Sequence, residues 1–177
     1  AALVDGIASW APSHGTPISW AYAKGAKGLI DYIANPNSES SCAGYGVYFL
    51  TDGEPQSDDV SRAASTIKSP DNDRGSSSDP TNKSFTCGAV SSWECVKKIA
   101  EPLYLKNHKE KVEIKTAIVG FGADFSFKKN NVIVPFAASN ITEFTSGTNQ
   151  RRAAEAALAG GGGWYSADDS IDISNSV

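Results

Sequence analysis

Asp52 is the residue of this chain best placed to do chemistry. It stands in Phe49-Leu-Thr-Asp-Gly-Glu-Pro55, where an apolar run ends on an acid and a turn. The run from Gly46 to Thr51 lacks polar alternation, so it predicts a strand buried on both faces, as in the middle of a parallel sheet. A carboxylate at the end of such a strand lies where open α/β sheets gather their ligands. There it can hold a metal, act as base or nucleophile, or form the turn that Thr-Asp-Gly favours. Thr16, directly before Pro17, carries a hydroxyl suited to capping a helix. The acidic stretch Asp71 to Asp79 lacks the spacing and closing Glu of a calcium-binding loop and reads as solvated loop. The Gly160 to Gly163 run has no phosphate-loop context, and reads as a turn between a helix and a strand. The chain has no GxSxG, no HExxH and only His14 and His108 as histidines, so Asp52 lacks a convincing catalytic companion.

The bulk composition bounds what can surround these residues. A chain of 177 residues with 40% hydrophobic content suits one domain with a real core. The net charge of -4 is spread over mixed residues, which argues against a nucleic-acid surface. Even the lysine-rich stretch 97–115 contains Glu101, Glu110, Glu113 and His108, and reads as a solvated helix face with its connecting loop. No apolar run is long enough for a membrane span. Cys42, Cys87 and Cys95 have no metal spacing. They read either as a local Cys87–Cys95 disulfide, with Cys42 free or paired elsewhere, or as three buried thiols.

Alternating helix and strand signals supply the elements that must position Thr16 and Asp52. Thr16 as N-cap and Pro17 at the first helical position open an amphipathic helix carrying Tyr22, Ala26, Leu29, Ile30 and Ile33. The Asp52 turn leads through Ser57, Asp58 and Asp59 into a short helix ending near Ile67. Residues 68–86 are nearly devoid of apolar side chains and predict an exposed insertion. A helix through Val96, Ile99 and Leu103, shortened or kinked by Pro102, precedes a second core strand over 112–119 that ends at Gly120-Phe-Gly122. Val132 to Val134 suggests an extra strand, Gln150 to Ala159 a last helix, and Trp164 to Ser166 a last strand. This order predicts a doubly wound, mostly parallel open α/β sheet with helices on both faces. Because a helix comes first, an upstream strand is expected.

Three segments in this order resemble a von Willebrand factor A domain: His14-Gly-Thr-Pro17, Leu50-Thr-Asp-Gly-Glu-Pro55 and Val119-Gly-Phe-Gly122. The tail Ala159-Gly-Gly-Gly-Gly-Trp-Tyr-Ser166 resembles that of A-type domains in the PilC/PilY family of type IV pilus tip-associated adhesins. The resemblance spans residues 1–177 as a single Rossmann-like domain, N-terminally incomplete. It implies a metal-ion-dependent adhesion site in which Thr16 matches the second loop and Asp52 the third. The Asp-x-Ser-x-Ser of the first loop has no counterpart before Thr16, so the resemblance implies a Mg²⁺ or Ca²⁺ site completed by an upstream loop.

The function so implied is a non-enzymatic adhesion module, exported to the cell surface, outer membrane or pilus tip. Its implied partners are minor pilins or other tip components and a host surface or matrix protein. Two alternatives carry different tests. One is a metal-dependent phosphoryl-transfer or hydrolytic enzyme using Asp52, and the other a structural A-type domain with a vestigial site.

Overall fold

The computed structural model describes residues 16–35, 44–51, 55, 60–73, 76–121, 128–130, 132–133, 138–143 and 145–167. Within them, helix α1 (Ile18–Ala34) and strand β1 (Tyr45–Thr51) are followed by helices α2 (Val60–Ile67) and α3 (Ser92–Tyr104). Strand β2 (Ile114–Phe121), a two-stranded hairpin of β3 (Lys128–Lys129) and β4 (Val132–Ile133), and a 3₁₀ turn (Ala138–Glu143) come next. Helix α4 (Asn149–Ala159) and strand β5 (Gly161–Ala167) complete the order. The three long strands pair in the order β1-β2-β5, all parallel, so the fold is the expected open α/β sheet.

The expectation that β1 is buried on both faces is overturned. Its burial alternates along the strand, and Tyr48 and Leu50 are each 43% exposed. Among the described strands β1 pairs only with β2, from Tyr45 opposite Ile114 to Thr51 opposite Gly120. Helices α1 and α3 pack on the opposite face, through Phe49, so Tyr48 and Leu50 on this face remain half open. The inward face is the one that Val47, Phe49 and Thr51 share with Ile114, Thr116 and Ile118. Tyr22 of α1 meets Phe49 edge-on at 5.9 Å, and Phe49 meets Trp93 of α3 edge-on at 6.2 Å. The Tyr22 hydroxyl reaches Thr116 Oγ1 at 2.7 Å, satisfying two polar groups inside the core. Burial, partly offset by that hydrogen bond, pushes the Tyr22 phenol far above its ordinary range. Both α1 and α3 therefore reach the sheet through this one face.

Helix α3 has well-formed ends. Ser91 and Glu94 form a capping box: the Ser91 backbone N–H donates to the Glu94 carboxylate at 2.8 Å, and the Glu94 N–H donates back to Ser91 Oγ. Pro102 lies in its last turn, and the helix stops two residues later, so the expected shortening is what occurs. At this end Asn107 N–H donates to the Pro102 carbonyl and Lys106 N–H to that of Leu103, the two bonds of a Schellman motif. Lys106 occupies its left-handed position, with φ +61°, and Lys111 in the next turn has φ +57°. For a residue with a Cβ that conformation costs about 1–2 kcal/mol. A cation at a helix C-terminus recovers only about 0.3–1 kcal/mol, so the dipole alone does not offset Lys106.

Three segments depart from their sequence-based expectation. The loop 68–86 is in part closed: Asn72, Asp79, Thr81, Asn82 and Phe85 are buried. Asp79 accepts hydrogen bonds from the Asn72 amide and from both the backbone and hydroxyl of Thr81, so short polar side chains take the place of an apolar core there. His108, read as part of a solvated stretch, is fully buried and its Nε2 lies 2.7 Å from the Val112 carbonyl, fixing the turn into β2. Of the glycine run only Gly160 forms the turn, because β5 starts at Gly161. A disulfide joins Cys87 to Cys95, the local pairing that was one of the two readings of these cysteines. It ties the chain before α3 to the helix's first turn, and closing a loop of sequence separation 8 is worth about 2.5 kcal/mol.

Candidate functional site at the carboxyl edge of the sheet

Helix direction decides which end of the sheet collects helix N-termini. The Tyr104 ring, at the end of α3, lies against Gly161 at the start of β5, whereas Trp93, at the start of α3, packs on Phe49 near the end of β1. Helix α3 therefore runs antiparallel to the strands, with its capped end at their carboxyl edge. The Cys95 Sγ contacts the Val60 carbonyl at 3.9 Å, which brings the start of α2 to the same edge. Arg62, in the first turn of α2, stacks on Trp20 at 3.7 Å from the ring centre, so the first turn of α1 lies there too. Three helix N-termini thus gather where β1 and β2 end, the location that open α/β sheets use for ligands.

Thr16 lies two residues before Ile18, at this edge, and is partly buried. Its expected role as helix cap is corrected: the N-cap is Pro17, whose carbonyl accepts from Ala21 N–H at 2.9 Å, and among the described residues no side chain caps α1. The Thr16 carbonyl instead accepts from Ile18 N–H at 2.9 Å, so the helix starts one residue later than Pro17's fixed φ suggested. That leaves the Thr16 hydroxyl unused by the cap.

Asp52 lies outside the described residues, as do Glu54, Ser57, Asp58 and Asp59. Thr51, the residue before Asp52, is 5% exposed and stands opposite Gly120 at the end of the β1–β2 ladder. The backbone leading into Asp52 is thereby fixed by parallel pairing up to its last residue. Among the described residues no group of three His, Cys, Asp or Glu side chains could hold a metal ion. The described acid at this edge, Glu94, is committed to its cap: hydrogen bonds from the Ser91 backbone and hydroxyl, helped by Arg152 and Lys98 against slight desolvation, hold its carboxyl below the usual range. The Ser-x-x-Glu spacing at 91–94 is the sequence signal for this box.

The chain matches no family model, no curated protein and no solved structure.

Proposed function

We propose that this domain is a surface binding module in which a divalent cation at the carboxyl edge of the sheet mediates adhesion. The gathering of three helix N-termini around the end of β1, with Thr16 before one helix and Asp52 next after Thr51, carries this reading. Thr16 and Asp52 offer a hydroxyl and a carboxylate, both hard oxygens of the kind that Mg²⁺ and Ca²⁺ take. Two such ligands leave most of an octahedral shell to water, to an upstream loop and to an incoming carboxylate of the ligand. Affinity for that ligand then depends on divalent metal, and no covalent step is needed. The resemblance to PilC/PilY A-type domains supports minor pilins and a host surface or matrix protein as partners.

Calorimetric titration of the intact protein with Mg²⁺ and Ca²⁺ tests this reading. Saturable binding that weakens at least tenfold in Asp52→Ala, and to a lesser degree in Thr16→Ala, is the expected result. Binding unchanged by Asp52→Ala, or no binding of either cation, refutes it.

A further inference from the structure

We infer that the opposite, amino edge of the sheet holds a second site, for a phosphate monoester. A concavity of about 530 Å³ opens there, lined by Gly44, Tyr45, Lys106, Lys111, Glu113 and Lys115 among others. This volume falls within the range of small-molecule sites. Gly44 and Tyr45 lie at the start of β1, and the remaining residues belong to the α3–β2 turn and the start of β2, so the site is independent of the carboxyl-edge reading.

Charge identifies the ligand class. Three lysines and one glutamate line it in a chain whose net charge is -4, so the pocket opposes the charge of the whole molecule. Glu113 engages Lys115 at 3.6 Å, and among the described residues no ion pair engages Lys106 or Lys111. Two positive charges remain, which matches a phosphate monoester at neutral pH, carrying about -1.5 to -2, better than a carboxylate. Tyr45 also lines the concavity, and its hydroxyl is buried with no hydrogen-bond partner among the described residues.

Backbone conformation separates this reading from that of ordinary surface lysines. Lys106 and Lys111 both hold φ values that suit glycine, at +61° and +57°. Long cationic side chains at two strained positions of one pocket fit the clustering of backbone strain at ligand-binding sites. Glycine at both positions relieves the strain and removes the charges together. Stability and binding must then move in opposite directions, which a purely structural role does not produce.

The test is titration of the intact protein and its Lys106→Gly/Lys111→Gly variant with inorganic phosphate, glucose 6-phosphate, glucose and acetate at low salt, with urea unfolding of both proteins. We expect glucose 6-phosphate to bind, acetate and glucose not to, and the variant to bind at least tenfold more weakly while its urea midpoint rises. Equal affinity for inorganic phosphate upholds the site and identifies the free anion as its source. No binding of either phosphate, equal binding of acetate, or binding that the glycine pair leaves unchanged overturns the proposal. A Lys24→Gln/Lys97→Gln control, away from the pocket, must retain affinity, and a matching loss there also overturns it.

Discussion

At the scale of single residues, close approach decides more than propensity. The pairing of β2 with β5 shifts register between Thr116 and Ile118, where β5 spends an extra residue, the signature of a bulge. The bulge presses Gly162 onto the Thr116–Ala117 peptide, so a Cβ there would strike the Thr116 carbonyl, which is backbone and cannot move aside. Gly160 is packed nearly as tightly: a Cβ would come within 2.6 Å of the Thr116 Cβ and 3.2 Å of that of Ala100. Gly161 has φ +68° with the Tyr104 ring against it. The glycine run is therefore required by contact as well as by conformation. We expect Gly162→Ala to cost about 3 kcal/mol or more, as overpacking against backbone does. Urea unfolding measures it, and a loss below about 1 kcal/mol contradicts the close approach.

At the scale of elements, α3 is the best-specified piece, since a capping box, a disulfide and a Schellman end bound its 13 residues. Ser91→Ala removes the N-cap hydroxyl and should cost about 1 kcal/mol in urea unfolding. The partner acid adds a pH dependence whose sign follows from its depressed pKa. Folding favours the Glu94 carboxylate, so its contribution is fully present above the unfolded glutamate value of about 4.3. It is lost as pH falls through the lower folded value. Glu94→Gln keeps the hydrogen-bonding shape without the charge. The stability gap between it and the wild type should therefore be open at pH 7 and narrower near pH 3. A gap that is the same at both pH values contradicts the charge-assisted cap.

At the scale of the whole molecule, coverage of the sheet is uneven, and neighbouring residues of β1 should respond differently to truncation. Phe49 sits between the Tyr22 and Trp93 rings, so Phe49→Ala should cost about 3 kcal/mol. Leu50 faces the other way and is 43% exposed, so Leu50→Ala should cost about 1 kcal/mol. Equal losses in thermal or urea unfolding contradict this one-sided packing. The sequence by itself determined the alternation of helices and strands, the parallel α/β class, the ends of α4 near Gln150 and Ala159, and the local cysteine pair as one of two readings. Such features depend on near neighbours, namely apolar spacing, caps, breakers and short loop closure. Only the tertiary structure decided that Tyr48 and Leu50 stay half open, that Asp79 and His108 are buried, and that Lys106, Lys111 and Lys115 line one pocket. Each of these depends on which distant element packs against a residue. An apolar run reads the same whether one face of its strand is covered or both, and a polar loop reads the same whether water or its own side chains satisfy it.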